Sequence, residues 1–411
     1  MNKIKFATPD IGRSELGRIG EAVESRWITS GPKVREFEKR IARMSGCDRA
    51  VAYDSCTGAM EMALRALDIG PGDEVITTPY TYSATAEVIR NVGAKIVFVD
   101  LDEHDDLSFE MDYDKVAAAI TEKTKAVMPV DIGGKLCNYD ALMAAVSSKQ
   151  EIFKPTSPLQ EAIGRVAVVA DAAHSFGADH GNRVCGQFAD FTCFSFHVLK
   201  NITTGGEGGA LVWRNFGGVD DALEERLRLL GDHGQTSRDK SRGWEYDIAL
   251  FGYNSIMTDV DAAMGLSQLD RFEEIRQKRI DVTVRYDELF AQNDTVAPII
   301  QHFGPDYTSA MHLYPVRLFD YNRVPAAFCG SIGDFRNGVY RTLMNAGIPC
   351  NVHYKPLPMM TAYRQAGFDI ADYPRAYRMY SGLLTIPYHT ELTADQQEYI
   401  VKNIWKAVRE V

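Results

Sequence analysis

Two residues in this sequence could take part in catalysis, and each comes shortly after a predicted strand. Lys200 follows the run that ends at Ser195, and Asp171 follows the apolar run that ends at Ala170. A lysine partly removed from water has a lowered pKa, and its neutral amine can form a Schiff base. A carboxylate at Asp171 can keep a pyridine nitrogen protonated, which makes the ring an electron sink. Each residue also has an ordinary interpretation, as a surface lysine and as a helix N-cap.

A third segment, the turn DSCTGA at residues 54–59, has the composition of a phosphate site. It opens a predicted helix, and the N–H groups and dipole at a helix N-terminus attract anions. An N-cap at Ser55 or Thr57 with nothing bound is the alternative interpretation. Glycines after Lys200 permit unusual backbone conformations and close packing around its amine, and they are Gly205, Gly206, Gly208 and Gly209.

The elements that must position these residues alternate between strands and helices from residue 49 to residue 213. Several β-branched runs are apolar on both faces, which favours a largely parallel sheet covered by helices. The predicted strands are Arg49–Tyr53, Glu74–Thr78, Lys95–Val99, Lys125–Val130, Val166–Ala170, Phe191–Ser195 and Ala210–Trp213. The predicted helices between them are Gly58–Leu67, Ser83–Val92 and Tyr113–Ile120. Ligands bind beyond the carboxyl ends of such strands, so the polar residues that follow each strand are the first candidates.

The rest of the chain predicts a second domain. Residues 149–164 contain two prolines and no clear periodicity, and we interpret them as a surface insertion. Amphipathic stretches follow at Asp220–Leu230 and Asp259–Asn293, and the second could link two domains as one helix or a broken pair. Beyond residue 300 the pattern is α+β. The predicted domains are therefore residues 1–260, a large α/β domain, and residues 261–411, a smaller one.

Composition excludes several classes of protein. The 45 Lys and Arg residues against 56 Asp and Glu residues give a net charge of -11, which leaves no global positive field for nucleic acid. No run approaches the roughly 18 apolar residues of a membrane span, and the start MNKIKFATPD lacks a long apolar segment. We therefore expect a cytoplasmic protein with neither nucleic-acid nor membrane partners.

The sequence also lacks the common motifs for metal binding and for nucleotide binding. The seven cysteines contain no CxxC pair and the nine histidines no HExxH, so we predict neither a disulfide framework nor a metal site. The run GGEGG is not GxGxxG and follows no suitable βαβ start. Gly134–Lys135–Leu136 lacks both the Ser/Thr and the earlier glycine of a P-loop.

Several motifs, taken in order, carry a resemblance to a known family. The turn at 54–59 is followed by DAAHS from Asp171 and by FSFHVLKNITTGGEGG around Lys200. Further agreement lies in SGPKVREFEKRIA, IGPGDEVITTPYTYSAT, FGYNSIMTDVDAAMGLSQL, NVHYKPL and LLTIPYHTELTADQQ. Along nearly its whole length the sequence resembles the nucleotide-sugar aminotransferases often called the DegT family. The resemblance implies an α/β fold of fold-type I, with a mostly parallel seven-stranded sheet, a smaller α+β C-terminal domain and pyridoxal 5'-phosphate as cofactor.

The resemblance also implies roles for individual residues. Lys200 would carry the cofactor as a Schiff base and move the proton, and Asp171 would face the pyridine nitrogen. His174 would lie by the ring hydroxyl, and Tyr82 would stack on the ring. The phosphate would be held by Thr57, Gly58, Ser195 and, from a second subunit of a homodimer, Asn254. The sugar-nucleotide substrate would lie near His353 and Tyr354.

The implied reaction is transfer of an amino group, with glutamate as donor, to a keto sugar on a nucleoside diphosphate. Pyridoxamine 5'-phosphate would be the intermediate form of the cofactor. A related dehydratase with histidine in place of the lysine is one alternative, and a non-catalytic regulator is another. The sugar, its nucleotide and the pathway stay open among cell-surface polysaccharide, glycoprotein glycan and antibiotic sugars.

Three departures from the family pattern stand out. Family members often carry His and Tyr where this chain has Val130–Gly134, which alters the sugar side of the pocket. The loop TTGGEGG is one glycine longer than the expected form after the lysine. The segment 149–164 precedes the strand that leads to Asp171.

Overall fold

The structure is a computed structural model that describes residues 3–105, 107–236, 243–293, 295–318 and 332–411. Its α-helices in these ranges are α1 (Arg13–Ser25), α2 (Pro32–Met44), α3 (Cys56–Ala66), α4 (Ser83–Asn91), α5 (Tyr113–Ala119), α6 (Tyr139–Ser147), α7 (Pro158–Ile163), α8 (Asp220–Gly231), α9 (Asp259–Asp270), α10 (Phe272–Phe290), α11 (Ile332–Asn345), α12 (Thr361–Gln365), α13 (Pro374–Gly382) and α14 (Ala394–Glu410). The strands are β1 (Ala50–Tyr53), β2 (Glu74–Thr77), β3 (Lys95–Phe98), β4 (Thr124–Met128), β5 (Ala167–Asp171), β6 (Asp179–His180), β7 (Arg183–Val184), β8 (Phe191–Ser195), β9 (Gly209–Trp213), β10 (Ala297–Pro298), β11 (Tyr307–Thr308), β12 (Tyr314–Arg317) and β13 (Leu383–Ile386). Within the described ranges no helix is both long enough and apolar enough to cross a membrane.

A seven-stranded sheet in the order β1-β9-β8-β5-β4-β2-β3 forms the centre of the fold. Only β9 runs against its neighbours, so the other six strands end at the same edge. All seven strands predicted from the sequence belong to this sheet, which confirms the predicted fold class. Strand β4 ends at Met128, directly before Pro129, because proline cannot donate a ladder hydrogen bond.

Burial explains why the strand pattern could be recognised. Strands β1, β2, β4, β5, β8 and β9 are buried at every position, as expected for a sheet covered on both faces. Residues of α3 and α4 pack in a core on one face, and residues of α5 and α6 pack in a core on the other. The sheet is therefore a rigid layer that holds its carboxyl edge in place.

A second core lies around the three-stranded sheet β10-β12-β13. Residues of α10, α11 and α14 pack in this core, and Ile4 near the start of the chain joins them. The predicted linking stretch is a broken pair of helices, interrupted at Arg271, in which α9 packs against α1 and α2 while α10 packs against α14. The predicted boundary between residues 260 and 261 stays a prediction.

The interpretation of residues 149–164 as a surface insertion is wrong for their second half. Ser157 caps α7, and the Gln160 amide donates to the Leu67 carbonyl over 2.6 Å. Leu159 and Ile163 are buried in the core that α3 and α4 share. The segment was misread because a six-residue helix is too short to show a clear period.

Candidate active site

Asp171 is the last residue of β5 and is buried. Its Oδ2 accepts a hydrogen bond from the Thr85 hydroxyl at 2.6 Å, and its Oδ1 accepts one from the Ala173 N–H at 3.2 Å. Burial raises the pKa of Asp171, and these two bonds and the charge of Lys200 oppose the rise. The carboxyl is therefore held in one orientation at the edge of the sheet, where a cationic partner would favour its ionised form.

Lys200 lies in the loop that connects β8, the strand next to β5, to β9. The loop is tied at its base, since Thr204 N donates to Phe196 O at 3.1 Å and Val198 N donates to Gly206 O at 3.1 Å. Burial lowers the pKa of Lys200, against the charges of Asp171, Cys56 and Glu207. A larger fraction of its amine is therefore neutral near pH 7 than for an exposed lysine.

The turn at residues 54–59 and the glycine-rich loop pack directly on each other. Ser55 caps α3 by accepting a hydrogen bond from the Gly58 N–H at 3.0 Å. A Cβ on Gly209 would lie 2.3 Å from the Ser55 carbonyl carbon and 2.4 Å from the Cys56 nitrogen, so only glycine fits there. Gly209 also pairs with Ser195 of β8. The structure thus brings Ser195 beside the N-terminus of α3, which carries Thr57 and Gly58.

The segment that carries Asn254 runs along the end of β1. Ile256 bridges to Tyr53, and the Ser255 hydroxyl donates to Asp54 Oδ1 over 2.7 Å. Asn254 itself is exposed and bridges to Asp232. Its contact with a phosphate in a second subunit stays a prediction.

His174 lies on the turn after β5 and is buried. Its Nδ1 accepts a hydrogen bond from the Gly133 N–H at 3.1 Å, and its Nε2 is 3.4 Å from the Tyr354 hydroxyl. Burial holds the pKa of His174 well below its usual value, and the charges of Lys200 and His353 lower it further. The imidazole is therefore neutral at physiological pH.

Tyr82, His353 and Tyr354 come together from distant parts of the chain. The ring centroids of Tyr82 and Tyr354 are 6.1 Å apart, and Tyr82 is 63% exposed. His353 Nδ1 is 3.1 Å from the Thr385 hydroxyl, and burial lowers the pKa of His353 to about 4, with a further contribution from Lys200. These residues form an aromatic and polar wall beside His174.

The structure adds residues that the sequence did not reveal. Thr85 binds Asp171, and its only signal was its place in the TYSAT motif. His312 packs on His174 with ring centroids 4.3 Å apart, although nothing in its local sequence marks it. Asp131, in the departing stretch 130–134, is buried and binds the Ser175 hydroxyl at 2.7 Å.

A lysine and a carboxylate at neighbouring strand ends, beside a helix N-terminus, define a pyridoxal-phosphate enzyme of fold-type I. The chain belongs to the DegT/DnrJ/EryC1/StrS aminotransferase family, whose sequence model matches residues 9–405. It is accordingly an aminotransferase that depends on pyridoxal phosphate.

Three relatives illustrate the similarity. Spr1654 of Streptococcus pneumoniae, to which sugar aminotransferase activity is attributed, has been solved in pyridoxal and pyridoxamine forms. It is 39% identical to this chain, with a TM-score of 0.92 over 99% of this chain and 98% of that one. The spore coat polysaccharide biosynthesis protein SpsC of Bacillus subtilis is 34% identical over 421 residues, covering 99% of this chain and 97% of SpsC. The UDP-4-amino-4,6-dideoxy-N-acetyl-beta-L-altrosamine transaminase of Campylobacter jejuni is 30% identical over 412 residues, covering 99% and 98%.

The residues present fit the cofactor. The buried Asp171 has a raised pKa, and the pyridinium nitrogen of the cofactor would supply the positive charge that favours its ionised form. The N-terminus of α3, with Ser195 beside it, suits a phosphate. Lysine at position 200 argues against the related dehydratases, in which the resemblance implies histidine.

Proposed function

We propose that this aminotransferase moves an amino group from glutamate to a keto sugar linked to a nucleoside diphosphate. The observation that carries the proposal is Lys200, with its lowered pKa, beside the buried Asp171 on the neighbouring strand end. Two relatives support the substrate class, since one is a UDP-linked amino-sugar transaminase and the other is a spore coat polysaccharide protein. A role in polysaccharide biosynthesis follows, and a cytoplasmic location stays a prediction.

We also propose roles for the individual protein groups, and their positions support these roles. Bound in this site, the cofactor supplies a carbonyl that takes the amino group and a protonated ring that withdraws electrons. Lys200 would hold the cofactor covalently between turnovers and, once displaced, would carry the proton that moves at the reacting carbon. Asp171, held by Thr85 and Ala173, would keep the ring nitrogen charged.

The remaining assignments concern binding. Thr57, Gly58 and Ser195 would hold the phosphate with their N–H and hydroxyl groups. Tyr82 would stack on the cofactor ring and His174 would face its hydroxyl, while His353 and Tyr354 would contact the sugar nucleotide. The exposure of Tyr82 next to Tyr354 supports this arrangement, because an exposed aromatic face is available to stack on a ligand ring.

Replacement of Lys200 tests the proposal most directly. Lys200→Ala should abolish aminotransfer and still leave a folded protein that binds cofactor without a covalent bond. Borohydride treatment of the wild type followed by peptide mass spectrometry should attach the cofactor to Lys200. Lys402→Ala, which changes an exposed lysine of α14, is the control and should react like the wild type. Attachment to another lysine would refute the assignment.

The substrate class needs a separate measurement. A panel of nucleotide-linked amino sugars should convert the bound cofactor to its pyridoxamine form, which is followed by loss of the yellow absorbance. The corresponding free amino sugars are the matched controls and should react far more slowly. Reaction with amino acids only would contradict the sugar-nucleotide substrate and leave the aminotransferase class intact.

We also propose that the working unit is a homodimer in which Asn254 reaches the phosphate of the other subunit. Large apolar side chains are exposed in the segment that leads to Asn254, with Phe251 at 97% and Trp244 at 74%. Exposed apolar patches of this kind mark interaction surfaces, and a second copy with twofold symmetry would cover both patches at once.

Subunit exchange tests the composite site. An Asn254→Ala chain mixed with a Lys200→Ala chain gives mixed dimers in which one site carries both defects and the other carries neither. Activity should therefore exceed that of either parent. Proven exchange without recovery, or a fully active monomer, would count against the shared site.

A further inference from the structure

The His312 ring lies against the His174 ring, with 4.3 Å between centroids and 39° between planes. Both side chains are buried. We propose that His312 is a positioning residue, which holds the His174 ring in one orientation and connects it to the loop of Lys200. This inference rests on the proposed roles of His174 and Lys200.

The backbone determines the tautomer of His174. The Gly133 N–H can only donate, so the Nδ1 atom of His174, 3.1 Å away, must accept with its lone pair. A neutral imidazole then carries its proton on Nε2, and burial keeps the His174 pKa low enough for the neutral form. His174 thus presents an N–H donor on the side of Tyr354, whose hydroxyl is 3.4 Å from Nε2.

The tautomer of His312 follows from Asn201, the residue after Lys200. The carbonyl of Ala310 can only accept, so the amide nitrogen of Asn201 faces it and donates. The amide oxygen of Asn201 therefore faces His312 Nδ1, 3.0 Å away, and this atom must carry the proton. His312 is thereby hydrogen-bonded to the loop that contains Lys200, and the two neighbouring imidazoles have opposite tautomers.

The turn that contains Gly133 and Gly134 is hydrogen-bonded to both histidines. The Gly133 N–H donates to the His174 ring, and the Gly133 carbonyl accepts a hydrogen bond from the backbone N–H of His312 at 3.0 Å. Gly134 accepts the Ala310 N–H at 2.8 Å. A Cβ on Gly134, whose φ is +96°, would lie 2.9 Å from His174 O and 3.0 Å from the nitrogen of Met311. The departing stretch 130–134 therefore contributes backbone groups to the site.

The residue before His312 is held in an unfavourable conformation. Met311 has φ +53°, a region that costs a non-glycine residue about 1 kcal/mol or more. The guanidinium of Arg279 donates to Met311 O at 3.1 Å, and Met311 N donates to the Ser309 hydroxyl at 3.0 Å. Strain that neighbouring groups maintain in this way is typical of functional sites, and here it directs the His312 ring onto His174.

Two substitutions separate the two contacts of His312. His312→Asn keeps a donor for Asn201 and removes the ring, whereas His312→Phe keeps a ring against His174 and removes the donor. We measure the absorbance spectrum of the bound cofactor and the single-turnover rate of its conversion by glutamate. Both variants should react roughly 10- to 100-fold more slowly, since misplacement by about 1 Å has effects of this size, and both should shift the visible band.

His389→Phe is the matched control. It removes a buried imidazole that lies 3.2 Å from the Lys5 carbonyl and accepts the Glu391 N–H, and these described bonds involve neither His174, His312 nor Asn201. Its thermal stability should fall as in the His312 variants, while its spectrum and rate should match the wild type. If the His312 variants do not fold, Asn201→Ala releases the same bond from the other side and should give the same spectral shift.

The outcomes distinguish this inference from the proposed function. A wild type that does not react with glutamate, or that carries its cofactor on another lysine, contradicts the proposed function. A reactive wild type whose His312 variants keep its rate and spectrum contradicts only the positioning role. If the visible band shifts equally in His389→Phe, the positioning role is also contradicted, because the shift would then reflect a general loss of stability.

Discussion

Two buried carboxylates stand side by side at the edge of the sheet, Asp131 after β4 and Asp171 at the end of β5. The Asp131 N–H donates to Asp171 O at 3.1 Å, and the Asp171 N–H donates to Pro129 O at 2.9 Å. Burial raises the pKa of both groups, and that of Asp131 reaches about 6. By position, burial and direction of pKa shift the two are nearly equivalent.

Their partners differ. The oxygens of Asp131 accept from the Ser175 hydroxyl at 2.7 Å, the Tyr139 hydroxyl at 3.0 Å and the Cys137 N–H at 3.0 Å. Asp171 is close enough to Lys200 for the lysine charge to lower its pKa. A buried carboxyl with a raised pKa is therefore not by itself a functional group. The partner that faces it decides between an internal anchor and a site for a cationic ligand.

Asp171→Asn should have the largest effect on the reaction rate. The amide keeps the size of the side chain and loses the charge that would keep the cofactor ring nitrogen protonated. We expect the glutamate half-reaction to slow by about 10²- to 10³-fold, or about 3–4 kcal/mol, with little change in folding. Single-turnover absorbance measures the rate, and Asp131→Asn is the matched control. A wild-type rate in Asp171→Asn would contradict the proposed role of Asp171 in the reaction.

Asp131→Asn should affect stability more than rate. Three donors face the carboxylate, and an amide cannot accept from all of them, so unfolding should become easier by about 1–3 kcal/mol. We expect the half-reaction to slow less than about fivefold, because Asp131 touches His174 only through its neighbour Ser175. Urea unfolding and single-turnover kinetics give the two numbers. A rate loss as large as that of Asp171→Asn would contradict the distinction.

The pH dependence of stability tests the raised pKa of Asp131. A carboxyl with a pKa of about 6 when folded and an ordinary value of 3.8 when unfolded binds more protons in the folded state. Its contribution to stability is therefore present below about pH 4 and is lost as the pH rises through about 6. The destabilisation by Asp131→Asn should be greatest at pH 4 and smaller at pH 7, by at most about 3 kcal/mol. A constant difference across this range would exclude the shift.

Tyr139→Phe should have the smallest effect. It removes one donor from Asp131 and no part of the proposed site, so we expect a loss of about 1 kcal/mol and an unchanged rate. That hydrogen bond lowers the pKa of Asp131, so the pH at which the contribution is lost should move upward. Urea unfolding between pH 4 and pH 8 would show the movement, and a downward shift would be inconsistent with the bond.

The strand pattern and the residues that follow each strand were enough to predict the sheet and the candidate residues at its edge. Six of the seven strands are buried at every position and leave nearly continuous apolar runs, and β-branched residues marked β3 as well. Lys200 and Asp171 follow from where two of these strands end. The motifs were sufficient for the family, because each is a short continuous stretch and together they occur in one order along nearly the whole chain. Even the turn before α3 was recognisable from its small residues.

The distant residues that complete the site could be identified from the folded structure but not from the sequence pattern. His312 and Gly133 meet His174 because two loops far apart in sequence are hydrogen-bonded to each other through backbone groups, which leave no trace in side-chain pattern. The roles of Asp131 and Asp171 could not be separated in advance either, since each follows a strand. Their partners are set by packing across the sheet edge, and local periodicity does not encode packing between segments.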